Sequence, residues 1–213
     1  MNIIIFGPPG AGKGTQAQNI VNNFNLHQVS TGDLLRIEIK KKTEIGKKIE
    51  QIIAQGDLVS DDIVNELLKK VITNYNYRNR IIFDGYPRNI NQAECLEIML
   101  NGDNQSINFV LFLKVTQEII EKRILGRIIC EKCNKTMNKY FNKKEIDNHE
   151  CGKNYLKKRK EDNQETIIIR YEEYIKKTKP VLDFYSSRRY FHEIDGSEKI
   201  QAITGKIQQI LKV

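Results

Sequence analysis

There is no tryptophan among the 213 residues, aromatics amount to 8 %, and cysteine occurs 4 times. Each scarcity removes a class of protein. Without tryptophan, and with few other rings, the stacking platforms for single-stranded nucleic acid are sparse, so no nucleic-acid partner is expected. No apolar run approaches the roughly 20 residues that cross a bilayer, so no membrane partner is expected either. The chain opens on an apolar run, Asn2–Phe6, which leaves no room for a cleavable leader and points to the cytoplasm. In that reducing compartment a few cysteines, two of them spaced Cys-x-x-Cys, suit a metal site better than disulfides. No internal repeat and no long low-complexity linker interrupts the sequence.

What is present suits one main domain with small inserts. Hydrophobic residues make up 39 % and charged residues 29 %, ordinary values for a globular protein. Basic residues outnumber acidic ones 35 to 27, a net charge of +8, and much of the excess lies between Lys132 and Lys160. Such a balance suits a polyanionic partner. A local basic lobe favours a nucleotide, while lysines spread over solvated faces account equally well for most of them.

Five short apolar runs read as strands: Asn2–Phe6, Gln28–Val29, Arg80–Asp84, Ile107–Leu113 and Tyr190–Ile194. Helical spacing separates them. Ile63, Val64, Leu67, Leu68 and Val71 form one stripe behind Ser60 as N-cap. Ile167, Tyr171, Tyr174, Ile175 and Leu182 form a second, and Ile203, Ile207, Ile210 and Leu211 a third. The alternation predicts an α/β, three-layer fold with a five-stranded parallel sheet covered on both faces. Ligands then sit beyond the carboxyl ends of the strands. Two segments break the pattern: 30–59, which is helical, and 126–162, rich in Lys, Asn, Tyr and Cys. Both read as inserts on the ligand side, leaving 1–29, 60–125 and 163–213 as the core domain.

The most informative stretch is Gly7-Pro8-Pro9-Gly10-Ala11-Gly12-Lys13-Gly14-Thr15, between the first strand and a helical pattern. Backbone N–H groups of such a loop, with a helix N-terminus behind them, cradle phosphate. Glycines allow the phosphate to approach the backbone closely, and Lys13 would reach the terminal phosphates. The P-loop pattern Gly-x-x-x-x-Gly-Lys-Ser/Thr is met except that Gly14 follows the lysine and the hydroxyl comes one place later, at Thr15. That variant argues for a small-molecule kinase. A GTPase would also need Asn-Lys-x-Asp and Asp-x-x-Gly, and neither string occurs.

A second motif, Ile81-Ile82-Phe83-Asp84-Gly85-Tyr86-Pro87-Arg88, has the form of a Walker B strand. Asp84 would hold Mg²⁺ through its water shell, and the planar fork of Arg88 would grip phosphate. Ser30-Thr31-Gly32-Asp33-Leu34-Leu35-Arg36 adds an arginine at the start of the first insert. Arg123 and Arg127 stand four apart before the second insert, on one helix face or its end. Arg159 lies near the end of that insert and Arg170 on the next helix. Collected around both edges of one insert, they favour phosphate binding over solvated arginines.

In this order the blocks Gly7–Thr15, Ser30–Arg36, Asp84–Arg88 and Arg159-Lys160-Glu161-Asp162 resemble those of adenylate kinases of the long-lid bacterial type, P-loop nucleoside monophosphate kinases. The resemblance covers essentially the whole chain. It implies reversible phosphoryl transfer, MgATP plus AMP giving two ADP, a role in adenine nucleotide balance, and a monomer. The acceptor phosphate is already an anion, so no general base is needed; cations must hold two polyanions in line. By resemblance, Lys13, Arg88, Arg123, Arg159 and Arg170 surround the transferred group, with Asp84 on the Mg²⁺ side. ATP would meet Gly10, Ala11, Gly12, Lys13, Gly14, Thr15, Arg127, Thr136, Met137 and, through its carbonyl, Glu198. AMP would lie against Thr31, Arg36, the backbone of Asp57, Leu58 and Val59, then Gly85, Tyr86, Pro87, Arg88 and Gln92, with Arg159 and Arg170. The Gln92 amide suits an adenine edge. The two inserts would be an AMP-binding domain and a lid, whose closure excludes water. The chain departs from the pattern at Glu161, where the family usually has Asp, at Met137, where an aromatic is common, and at Asp57, which replaces a frequent Lys. UMP/CMP kinases resemble the core but have short lids, which argues against them.

Within the lid, Cys130-Glu-Lys-Cys133 has metal-knuckle spacing. The family's metal-bearing lids carry a second Cys-x-x-Cys or a Cys-x-x-Asp where this chain has His149-Glu-Cys151. Cys130, Cys133, His149 and Cys151 are the best set for a structural Zn²⁺, with Asp147 or Asn154 as alternatives for the fourth place. Zinc would staple a lobe that has too little core of its own. Cys95 reads as ordinary core packing.

Overall fold

The run Asn2–Phe6 forms β1, and all five of its residues are buried, as befits a central parallel strand covered on both faces. The computed structural model describes residues 1–212; Val213, the last residue of the expected core segment, lies outside the described residues. After β1 come α1 (Lys13–Phe24), β2 (His27–Ser30), α2 (Thr31–Lys40), α3 (Glu44–Gln55), α4 (Asp61–Ile72), β3 (Ile81–Asp84), α5 (Ile90–Gly102), β4 (Ile107–Lys114) and α6 (Gln117–Leu125). The chain continues through β5 (Arg127–Cys130), β6 (Thr136–Asn138), α7 (Lys143–Asp147), β7 (Leu156–Lys157), α8 (Gln164–Glu173), α9 (Lys179–Ser186), β8 (Phe191–Asp195) and α10 (Ile200–Leu211).

The main sheet has five strands in the order β2-β3-β1-β4-β8, and every pair is parallel. This is the expected α/β architecture. Strand alternation splits the core into two layers. Ile3 and Ile5 cluster with Ile20, Ile203 and Ile207 from α1 and α10. Ile4 and Phe6 cluster with Leu68, Leu96 and Tyr185 from α4, α5 and α9.

Helix starts follow from short polar side chains. Ser30, Thr43, Asn89 and Asn163 accept hydrogen bonds from the amides of Asp33, Gly46, Gln92 and Thr166, satisfying N–H groups that a helix leaves unpaired. Ser60 does stand at the N-cap of α4, but its side chain makes no capping bond. Asp61 and Asp62 in the first turn, with Lys69 and Lys70 in the last, complement the helix dipole instead.

The second predicted stripe needs one correction. Tyr174 is buried, whereas Ile175 is 41 % exposed. A π-helical turn, Tyr174–Thr178, separates α8 from α9, and the Lys179 N–H donates to the Tyr174 carbonyl to close it. Pro180, in the first turn of α9, has no N–H to give to Lys176, and its ring crowds that carbonyl. The helix widens just upstream, so a 3.6-residue reading misplaces Ile175.

Three strands went unread in the sequence. β5, β6 and β7 form a second, antiparallel sheet in the order β6-β5-β7. They are 4, 3 and 2 residues long, too short and too polar to show a period of two.

Register in the main sheet sets the site. Asp84 pairs with Ile5 on one side and with Ser30 on the other. On the far side of β1, Lys114 pairs with Asp195. The segments after β2, β3, β1, β4 and β8 therefore leave the sheet side by side along one edge.

Candidate active site

The loop after β1 delivers Lys13 to the centre of that edge. Gly12 is left-handed, with φ 96°, and caps α1, a conformation that strongly favours glycine. Lys13 Nζ donates to the carbonyls of Gly7 at 2.8 Å and Pro8 at 2.9 Å. Burial lowers its pKa from 10.5 to about 8; Asp84 opposes the shift, while Arg88, Arg170 and Arg127 add to it.

Gly14 sits close against Asp84. A Cβ there would lie 3.3 Å from Asp84 Oδ2, so a side chain directly after the lysine would crowd the carboxylate. Asp84 is buried and accepts from Gln28 Nε2 at 3.0 Å. Burial raises its pKa, opposed by Lys13 and the Gln28 hydrogen bond.

The arginines converge from separate elements. Arg123, in the last turn of α6, donates to the Ala11 carbonyl at 3.1 Å. Arg127 has left that helix and opens β5, where it grips Asp162 through two bonds of 2.8 and 2.9 Å. Asp162 also faces Arg170 at 3.5 Å, and its side chain is 1 % exposed. Arg88 donates from Nε to the Gly85 carbonyl at 2.7 Å; burial, then Arg170, lowers it to about 10. Burial, with Arg127 and Arg36 nearby, lowers Arg159 to about 10 as well. The Nε of Arg159 is buried without a partner. Cations thus outnumber the acids Asp84, Glu161 and Asp162 among them, a charge state that calls for an anionic ligand.

A narrow cleft beside this cluster is lined by Thr31, Leu58, Val59, Gly85, Arg88 and Gln92, together with Leu35 and Val64. Six residues predicted for one nucleotide are therefore brought together. Thr31 Oγ1 donates to the Gly85 carbonyl at 2.9 Å. Asp57 is exposed. Tyr86 is buried and donates to Asn65 at 2.6 Å, which directs its side chain into the packing beneath α4. The Gln92 amide is already engaged: it donates to Asp61 at 2.6 Å and accepts from the Arg88 amide at 2.7 Å. Arg36 pairs with Asp33 at 2.5 Å and approaches Glu161 at 3.6 Å.

The family model described as adenylate kinase matches residues 5–190. The chain belongs to the adenylate kinase family. A relative named adenylate kinase from Pelagibacter ubique (strain HTCC1062) is 60 % identical over 213 residues, covering 100 % of both chains. Another from Erythrobacter litoralis (strain HTCC2594) is 40 % identical over 217 residues, and one from Rickettsia rickettsii (strain Sheila Smith) is 39 % identical over 215, each again covering 100 % of both chains.

The remaining predicted residues lie towards the second sheet and β8. Thr136 is exposed, whereas Met137 is 2 % exposed; they pair with Ile129 and Ile128 across β5–β6. The Glu198 carboxylate is paired with Lys206 at 2.6 Å, which leaves its backbone for any ligand. No helix among the described residues is long and apolar enough to cross a membrane.

Cys130, Cys133, His149 and Cys151 place their donor atoms within 4.8 Å of one another. All four cysteines of the chain are free thiols. Cys133 Sγ lies 3.5 Å from His149 Nε2. Asp147 points elsewhere, to Lys153 at 3.3 Å. Burial disfavours the Cys130 thiolate, but hydrogen bonds from the Cys133 backbone and His149 outweigh it and lower the thiol to about 6. Burial and the neighbouring thiols raise Cys151 to about 11. Three sulfurs and one imidazole nitrogen in a compact group match the donor set of a tetrahedral structural zinc site.

Sequence reading missed Asp162 as a site residue, although its block was singled out. It also missed Gln28 against Asp84. Asp162 follows Arg127 by 35 positions, so no local spacing announces the pair.

Proposed function

We propose that this chain carries out the family reaction, reversible phosphoryl transfer from MgATP to AMP giving two ADP, with the residues above in defined roles. Lys13 and the amides of Gly10–Thr15 hold the ATP phosphates, and Asp84 addresses the Mg²⁺ that accompanies ATP. Arg88, Arg123, Arg159 and Arg170 surround the transferred group, while Arg127, Thr136, Met137 and the Glu198 carbonyl line the ATP side. AMP occupies the cleft of Thr31, Leu58, Val59, Gly85 and Arg88, with Arg36, Pro87 and the Asp57 backbone at its rim. Gln92 must exchange a present partner to read adenine.

The observation that carries this reading is the surplus of half-buried guanidinium groups between the lysine loop and the cleft. Two polyanions brought end to end would neutralise charges that the empty protein holds at a disadvantage. Segments 30–59 and 126–162 act as the AMP-binding domain and lid, closing to keep water from ATP. Cys130, Cys133, His149 and Cys151 hold a structural Zn²⁺, which supplies the lid with a cross-link. The enzyme works as a cytoplasmic monomer on free nucleotides.

The test is ADP formation from MgATP with AMP, CMP, UMP and GMP offered separately. Rapid ADP production with AMP alone is expected. Transfer to CMP or UMP instead would overturn the acceptor assignment, and ATP loss without any acceptor would overturn the two-nucleotide reading.

A further inference from the structure

We propose that Thr178, which belongs to none of the nucleotide-contacting motifs, is a positioning residue that holds Arg88 in the transfer site. Its hydroxyl donates to the Arg88 carbonyl at 2.9 Å, across 90 positions of sequence. Thr178 is 8 % exposed. The proposal rests on the role assigned to Arg88 above.

Thr178 is the last residue of the π turn. In a regular helix a threonine hydroxyl commonly turns back to the carbonyl four residues earlier. Here the backbone partner of the Tyr174 carbonyl is shifted by one residue, to the Lys179 N–H, and the Thr178 hydroxyl turns away from its own helix to the Arg88 carbonyl in the neighbouring loop. Pro180, two residues on, keeps the widened turn from closing into regular helix. π-helical turns inside helices recur at functional sites, and this one has a definable product.

Arg88 is then tied at three points. Its amide donates to Gln92 Oε1 at 2.7 Å, its Nε donates to Gly85 at 2.7 Å, and its carbonyl receives Thr178. The first two ties come from its own loop and the helix that follows. The third comes from the rod formed by α8, the π turn and α9, which also carries Arg170. One element therefore presents Arg170 directly and Arg88 through Thr178, setting the two guanidinium groups in register with each other. Tolerance in such an arrangement is small, because about 1 Å of misplacement can reduce a rate by about a hundredfold.

The test compares Thr178→Val, which keeps the shape and removes the donor, with Thr178→Ser, which keeps the donor. Both are assayed alone and in an Arg88→Ala background. Thr178→Val is expected to lower kcat by about tenfold to a hundredfold and to raise KM for AMP while leaving KM for ATP unchanged. Thr178→Ser should restore most of the rate. In the Arg88→Ala background Thr178→Val should cause no further loss, since both act through one group. Normal turnover in folded Thr178→Val, or an equal defect in Thr178→Ser, would overturn the proposal. So would full additivity with Arg88→Ala. An Arg88→Ala enzyme of normal activity would remove the assignment of Arg88 itself, and this proposal with it. An impaired Arg88→Ala beside a normal Thr178→Val would overturn the proposal alone.

Discussion

Two clusters of polar side chains in this protein are held together by opposite means. At the carboxyl edge of the main sheet, register and helix packing force cations together, and burial lowers the pKa values of Lys13, Arg88 and Arg159. The scaffold there maintains an arrangement that is unfavourable without a ligand. In segment 126–162 only Gly126, Cys130, Met137 and Asn138 are buried. That lobe has almost no hydrophobic core, and the Cys/His cluster stands in its place. In the first region structure holds the cluster; in the second, with the zinc proposed above, the cluster would hold structure. Substitutions should therefore separate chemistry from stability in opposite directions.

The widest separation is expected at Lys13. Lys13→Met should reduce transfer by at least about a thousandfold, measured as initial rates with both nucleotides. It should also raise the melting temperature at pH 7. The folded-state pKa of about 8 lies below the ordinary 10.5. The unfolded chain therefore binds the proton more tightly, and the destabilising contribution is fully present below pH 8 and disappears as pH rises towards 10.5. Near-normal turnover in a folded variant would break the comparison outright.

Asp162 joins the two regions, because it grips Arg127 at the start of the second sheet and Arg170 on α8. Asp162→Ala should lower stability by about 2 kcal/mol, since it leaves two half-buried guanidinium groups without their carboxylate, and should also reduce kcat. Denaturant melts beside kinetics would show both effects; a loss of only one would place Asp162 in a single region. Cys130→Ser should lower the melting temperature by several degrees while rates at 25 °C stay within about twofold. Identical melting curves, with no metal found in the parent protein, would remove the zinc assignment.

A change of pH breaks nothing and tests the same lysine. With Lys13 on ATP as proposed, its protonated form holds phosphate, so MgATP affinity should be flat below pH 8 and weaken above it by up to about tenfold per unit. Titration calorimetry at several pH values would measure this, and affinity that stays constant to pH 9.5 would detach Lys13 from ATP.

Much of the fold was legible because its signals are local. The apolar run Asn2–Phe6, the glycine loop and the strand ending at Asp84 each occupy contiguous residues, and their parallel arrangement follows from strand–helix alternation. The arginines were legible only as a collection around one insert. What holds them was not: Asp162 meets Arg127 through the folded chain, and Gln28 reaches Asp84 across a strand pair. The π turn stayed hidden because helical periodicity assumes that no residue is added, and Ile175 was misplaced for that reason. The three strands of the second sheet are shorter than the window needed to detect alternation.

The Arg127–Asp162 pair has a consequence for the chain as a polymer. It pins together the two ends of a 35-position loop, so the cost of closing that loop is met at the core and not inside the lobe. The lobe is then expected to open and refold as a separate cooperative unit while the main sheet stays intact. Amide exchange should be fastest in β5–β7 and slowest in β1 and β3. A segment attached in this way behaves as a cassette, hinged at one ion pair, that can loosen without passing strain to the sheet beneath.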